Sequence, residues 1–193
     1  MRYAIRLFLC FHFAALPAAA QARPAPFATL DLGLTVLADV NHGALQRWWS
    51  PGPALGIALA TPFYLGSVEL GLQYAHPSSR RGDVPGFRSL YVYAGWGGRR
   101  NLGVGLAAGG GLRVGLMGMR FDGDTLPRGR ANESELGVAG RVALRWTPAD
   151  PWFAETSVSY QSVLTRPRME QVFLAAGIGR RFGTPAWLRE FLD

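Results

Sequence analysis

Leu102-Gly-Val-Gly-Leu-Ala-Ala-Gly-Gly-Gly-Leu-Arg-Val-Gly-Leu116 alternates large and small residues on either side of a small-residue centre. Leu102, Val104, Leu106, Ala108, Leu112, Val114 and Leu116 fall on one side, and Gly103, Gly105, Ala107, Gly109, Gly111 and Arg113 on the other. Successive side chains of an extended chain point to opposite faces, so a period of two predicts a strand. The same unit recurs on both sides of this stretch. From Phe27 to Ala38 one face reads Ala28, Leu30, Leu32, Leu34 and Val36, while the other reads Phe27, Thr29, Asp31, Gly33 and Thr35. Tyr64–Ala75, Leu136–Trp146, Trp152–Leu164 and Val172–Phe182 follow the pattern, and Ala54–Ala60 and Phe87–Trp96 follow it less cleanly. Eight strands are predicted, covering nearly all of the chain after residue 22.

Composition narrows what these strands build. The 193 residues fit one domain, 49% are apolar against 17% charged, and Gly (25) and Pro (13) are frequent. Beyond residue 22 no apolar run is long enough for a membrane helix, and hydrophobicity is too high for disorder. A soluble sandwich or barrel would place bulky apolar groups inside and varied charges outside. Here the polar face is mostly Gly, Ala and Ser, and the aliphatic face is long and uniform. Aromatic residues gather at the ends of that face: Tyr64, Tyr74, Trp96, Trp146, Trp152, Tyr160 and Phe182. An aliphatic band between aromatic girdles, facing outward, is the pattern of a closed antiparallel transmembrane β-barrel. Small inward residues suit a narrow barrel whose interior is filled by side chains.

Residues 1–22 carry Arg2 and Arg6, an apolar stretch from Leu7 to Leu16, and a small-residue end, Pro17-Ala-Ala-Ala-Gln-Ala22. That order is a secretory signal peptide, cut after Ala22 or after Ala20. The apolar stretch is too short to span a bilayer. Cleavage removes Cys10, so no disulfide or thiol chemistry is expected. It also removes two of the 20 basic residues and none of the 13 acidic ones, leaving a net +5 carried by arginine alone. An exported basic chain points away from nucleic acid and toward phosphate-rich lipid, which a guanidinium grips with two hydrogen bonds. With a periplasmic N-terminus, the connections at 61–63, 97–101 and 147–151 are short turns. Those at 39–53, 76–86 and 117–134 are long polar outer loops, and the one near Thr165–Arg168 is a short one.

On these segments the chain resembles the small eight-stranded bacterial outer-membrane barrels of the OmpA-transmembrane, OmpX and OmpW type, over most of residues 23–182. The last strand, Val172-Phe-Leu-Ala-Ala-Gly-Ile-Gly-Arg-Arg-Phe182, is similar to the family's assembly signal. The resemblance implies a bacterial outer-membrane location, recognition of that strand by the barrel-assembly machinery, a monomer, and no cofactor. Members end at the final aromatic, whereas this chain continues from Gly183 to Asp193. Thr184-Pro185 reads as a cap followed by proline at the first helical position. Trp187, Leu188, Phe191 and Leu192 would share one face of either an interfacial helix or a frayed tail.

Inward charges should be compensated, because a lone charge in a dry lumen is costly. Parity turns Asp31, Glu69 and Glu155 inward together with Arg113, Arg141 and Arg145, and Arg145 and Glu155 are equidistant from Asp150, hence opposed. A salt-bridge network closing the lumen is expected, with a narrow channel as the alternative. Around the outer loops Arg47, Arg80, Arg81, Arg128 and Arg130, together with Arg88, Arg120, Arg166 and Arg168, are candidates for lipopolysaccharide phosphate. Tyr-Ala-His76-Pro-Ser78-Ser79 weakly resembles the His-x-Ser-Asn segment of lipid A deacylases, which would make His76, Ser78 and Asp83 a hydrolytic set. The segment departs from that pattern at Pro77 and Ser79, and no Glu follows on Phe87–Trp96. Gly103-Val-Gly-Leu-Ala-Ala108 imitates a dinucleotide fingerprint but lies within a strand pattern, so it is set aside. Arg81-Gly-Asp83 is too short a match to carry weight. His42 and His76 are too few and too distant for a metal site. A closed barrel should resist detergent until boiled. Unboiled and boiled outer-membrane fractions are therefore expected to run at different positions on a denaturing gel.

Overall fold

The computed structural model describes residues 25–40, 47–81, 84–122, 132–165 and 168–192. Residues 1–22, expected to be a signal peptide, and His42, Asp83, Arg128, Arg130 and Arg166 lie outside the described residues. Eight long strands alternate up and down: β1 (Thr29–Asp39), β3 (Pro53–Phe63), β4 (Gly66–Ala75), β6 (Phe87–Gly103), β7 (Leu106–Phe121), β8 (Asn132–Ala149), β9 (Trp152–Val163) and β10 (Met169–Gly183). Two short strands, β2 (Trp49–Ser50) and β5 (Ser78–Ser79), pair as a separate two-stranded sheet between the first two long loops. A short helix, α1 (Ala186–Leu192), follows the last strand.

Neighbouring long strands pair antiparallel in chain order, and β1 pairs with β10 through the register Leu30↔Phe182, Leu34↔Ile178 and Ala38↔Leu174. The sheet therefore closes on itself and its long strands leave no edge. β6, β7 and β8, at 17, 16 and 18 residues, exceed the roughly 9–11 residues that a tilted strand needs to cross a bilayer. They stand beyond the membrane at their ends. Among the described residues no helix is long and apolar enough to cross.

The aliphatic face points outward. Leu34, Leu55, Leu70, Leu112, Leu116 and Ile178 are each more than half exposed, an apolar area that water would not tolerate on a monomer. Trp96, Trp146, Trp152, Tyr64 and Phe182 ring the end that carries the chain termini, and Tyr74 and Tyr160 mark the other. Arg180 bends its guanidinium over Trp152 and Phe182, at 5.4 and 5.2 Å from the ring centroids. Its stem stays against apolar rings while the charge reaches the interface.

Three turns close the terminal end, at Tyr64–Leu65, Val104–Gly105 and Asp150–Pro151. Two of them differ from the sequence reading. Thr61-Pro62 is not a turn: Pro62 lies in β3 opposite Ser67, and the chain reverses at Tyr64, whose φ is 47°. Gly97-Gly98-Arg99-Arg100-Asn101 is likewise strand, paired with Gly111 through Ala107. The reversal falls at Val104 (φ 50°) and Gly105 (φ 73°), the positive-φ pair that matches the right-handed twist of a two-residue hairpin. A Cβ on Gly105 would also meet the Thr147 carbonyl oxygen at 2.5 Å. Phe27, read as the first strand residue, has φ 55° and precedes β1.

Helix α1 starts behind Pro185, with the Leu188 N–H donating to the Pro185 carbonyl at 3.1 Å, and the Thr184 N–H tying it to Ala28 of the barrel. Trp187 is exposed. The side chains of Phe191 and Leu192, which would complete the apolar face, lie outside the described residues.

Val114 sits mid-belt on the outward face, between Ala94 and Val138. Val114→Arg is expected to destabilise the barrel by about 2–4 kcal/mol in urea titrations in lipid, whereas the lumen substitution Ala143→Ser should change little.

Candidate functional site

The inward face divides into two layers. On the terminal side, charged residues from seven strands converge. Glu155 on β9 lies opposite Arg145 on β8 and accepts from its Nε at 2.8 Å. Arg141, two inward positions along β8 from Arg145, donates to the other oxygen of Glu155 and comes within 3.9 Å of Glu69 on β4. Glu69 also takes Arg113 of β7 at 2.6 Å and the Tyr93 hydroxyl at 2.9 Å. Asp31 on β1 accepts from Arg145 and, at 2.8 Å, from Arg181 on β10. All six residues that parity had turned inward thus sit in one connected array. Arg99 of β6, with Nη1 3.7 Å from Asp31, and Arg181 join them.

The sequence reading assigned neither of these two arginines to the lumen. Arg99 was hidden inside an apparent turn. Arg181 shares the parity of the inward Gly177 and Gly179, a signal present in the sequence. Ring faces supplement the carboxylates: Arg145 stacks 3.7 Å from the Phe153 centroid and Arg113 4.5 Å from that of Tyr93.

The second layer occupies the opposite half. Phe87, Tyr91, Tyr93, Met117, Met119 and Val163 are buried together, and Trp49, Phe121 and Met169 pack against them. Tyr91 and Tyr93 stack at 5.3 Å, and Trp49 meets Phe87 edge-on at 5.3 Å. The Trp49 indole donates to the Pro85 carbonyl at 2.8 Å, which anchors the first long loop over the barrel mouth. Gly137 makes room for the Tyr91 ring: an added Cβ would come within 2.8 Å of it. Leu37, Ala54, Ala75 and Phe173 form a second cluster. This aromatic and methionine layer explains why Phe87–Trp96 alternates poorly. Both faces of β6 are apolar there, one toward lipid and one toward the interior.

At the outer rim, His76 Nε2 lies 3.3 Å from Asp122 Oδ2, and Arg88 Nε lies 3.6 Å from Asp122 Oδ1. The carboxylate beside His76 is therefore Asp122, from the end of β7, whereas Asp83 lies outside the described residues. Ser78 is paired through the β2–β5 sheet with Ser50, and no hydrogen bond joins it to His76 among the described residues. Ser79 Oγ turns back onto Arg81. A base and a nucleophile are not brought together here. Arg80 donates to Ser50 at 2.9 Å, Arg81 lies 4.9 Å over Trp48, and Arg47 is exposed. Arg88 and Arg120 are direct cross-strand partners on the outward face, above the row of Leu90 and Gly118. Among the described residues no cluster of His, Cys, Asp and Glu could hold a metal ion.

No protein-family model and no curated protein matches the sequence. Solved structures do match in fold. Neisserial surface protein A aligns with a TM-score of 0.63 at 11% identity, covering 82% of this chain and all of that one. The outer membrane protein OprG of Pseudomonas aeruginosa aligns at 0.53, with 14% identity and 84% and 100% coverage. The N-terminal β-barrel domain of Pseudomonas aeruginosa OprF aligns at 0.52, with 15% identity and 81% and 99% coverage. The closed sheet, the outward aliphatic belt and these likenesses give the chain the fold of the small eight-stranded β-barrels of bacterial outer membranes.

Glu155 compensates two buried guanidiniums, so Glu155→Gln is expected to cost about 3–5 kcal/mol of unfolding free energy. Adding Arg145→Gln should recover part of that loss, which a double-mutant cycle in urea would measure.

Proposed function

We propose that this protein is a closed, non-conducting, monomeric surface barrel that holds lipopolysaccharide at its outer rim. The observation that carries the reading is the pair Arg88 and Arg120, side by side on the outward face where the aliphatic belt ends. Like charges directly opposite on neighbouring strands repel. Asp122 approaches only Arg88 of the two, at 3.6 Å. A phosphate at that height would accept from both guanidiniums and turn the repulsion into a clamp. Gly118 and Ser134, one outward row further into the membrane, leave shallow relief beside Leu90 where an acyl chain fits. Arg80 and Arg81, steadied by Ser50 and Trp48, supply further cationic contacts for the same phosphorylated sugar surface. Arg47, Arg128 and Arg130 extend that assignment along the outer loops.

Closure of the lumen is supported by the layer of Phe87, Tyr91, Tyr93, Met117, Met119 and Val163, in a barrel whose eight strands already leave little width. The β10 segment Val172–Phe182 is the part offered to the assembly machinery, and residues 1–22 the part removed on export.

The barrel reconstituted in planar bilayers is expected to show no unitary conductance. Purified from an outer membrane, it should carry bound lipopolysaccharide. Arg88→Ala with Arg120→Ala is expected to weaken that binding by roughly tenfold or more, since charge-assisted hydrogen bonds contribute about 1.5–3 kcal/mol each. Arg180→Ala, at the opposite rim, should leave it unchanged. Equal retention by both variants would remove the reading.

A further inference from the structure

We propose that the terminal half of the lumen, on the periplasmic side, is a blind binding site for a small inorganic oxoanion of the phosphate class, with Arg99 as its principal ligand. The proposal stands on the charge count, the geometry of one guanidinium, and a cavity beside it.

Among the described residues that face this part of the lumen, Arg99, Arg113, Arg141, Arg145 and Arg181 meet three carboxylates, Asp31, Glu69 and Glu155. Glu69 is shared by Arg113 and Arg141, and Glu155 by Arg141 and Arg145. Asp31 is left to serve Arg145, Arg181 and Arg99 at once. Its Oδ2 accepts from Arg145 and from Arg181 at 3.3 Å, while Arg99 stops at 3.7 Å, beyond hydrogen-bond reach. Arg99 is thus the cation that the protein's own carboxylates serve least. With five guanidiniums against three carboxylates, the excess positive charge of this half of the lumen favours an anion beside Arg99.

The space for that anion adjoins Arg99. A cavity of about 90 Å³ runs along the lumen beside Arg99, lined by Arg113, Arg141 and Arg145 and by the carboxylates Asp31, Glu69 and Glu155, with Gly33 and Gly97 among its walls. By the volume a buried water requires, that is room on the order of six waters, enough for a four-oxygen anion with part of its shell. Gly33 keeps it open, since a Cβ there would meet nothing within 4 Å. The Arg99 side chain retains 34% of its exposure, so the site communicates with the terminal mouth. The aromatic layer beyond it makes the site blind. A guanidinium fork fits a tetrahedral oxoanion better than a spherical halide, which sets phosphate apart from chloride.

The test uses the full barrel folded in zwitterionic detergent at constant ionic strength, with inorganic phosphate as the probe and chloride as the reference. Saturable one-to-one phosphate binding by calorimetry is expected, together with a rise in the temperature at which the unboiled gel band is lost. Arg99→Gln should weaken binding at least tenfold. Gly33→Leu, which fills the cavity and leaves every charge in place, should do the same. Arg180→Gln should bind as the parent does. A gel shift shared by all variants verifies that each is folded. The proposal is overturned if the parent shows no saturable phosphate binding, if chloride binds equally well, or if Arg99→Gln binds like the parent. Short-chain phosphatidic acid supplies the lipid arm: binding of that phosphate but not of inorganic phosphate would also overturn the proposal, because the ligand would then be a headgroup at the rim.

Discussion

In hydrocarbon every backbone N–H and C=O must find a partner within the protein, and on that constraint the rest of this structure depends. The pairing of β1 with β10 meets it by joining the first long strand to the last, so none of the eight presents an unpaired edge to lipid. Closure fixes which way each side chain points. Once Leu34 faces lipid, Asp31, Gly33 and Thr35 face the interior, and the same parity passes from strand to strand around the barrel.

Eight strands make a narrow interior, and its contents are sorted along its length. Carboxylates and guanidiniums occupy the terminal half, where glycine and alanine neighbours leave room for long side chains to cross the lumen. Arg113 lies opposite Gly95 and Ala139, and Glu69 opposite Ala60 and Gly95. Aromatic and methionine side chains fill the outer half, where they need no ionic partner. Tyr93 stands at the boundary, stacked on Tyr91 on one side and hydrogen-bonded to Glu69 on the other. Among the described residues the charged layer carries more cation than anion and opens toward the terminal mouth, and the aromatic and methionine layer lies beyond it. On the two proposals above, the interior would hold an anion and the outer surface a phosphorylated lipid.

Much of the candidate site was legible because alternation reports parity, and parity in a closed barrel reports the inside. Arg145 and Glu155 can be counted outward from Asp150 to opposition, and Asp31, Glu69, Arg113 and Arg141 follow from the faces of their own strands. Other features were illegible for stated reasons. Gly97-Gly98-Arg99-Arg100-Asn101 has the composition of a turn, but its glycines lie in the ladder opposite Gly111 and Gly110, where a Cβ on Gly97 would meet the Gly110 carbonyl oxygen at 2.6 Å. Composition alone does not tell a glycine that bends the chain from one that lets two strands approach. His76 and Asp122 are 46 residues apart, and their meeting depends on how the loops above β4 and β7 settle.

The sequence by itself determined the eight-strand pattern, the two faces, the outward belt and six of the eight charged residues that meet in the lumen, because each of these follows from a local period of two. Only the tertiary structure decided where the hairpins reverse, which carboxylate serves which arginine, and that Arg99 is left with the weakest share of Asp31. Those outcomes depend on register and on distances across the lumen. Both exist only after the first and last strands have joined and fixed every strand's height against its neighbours.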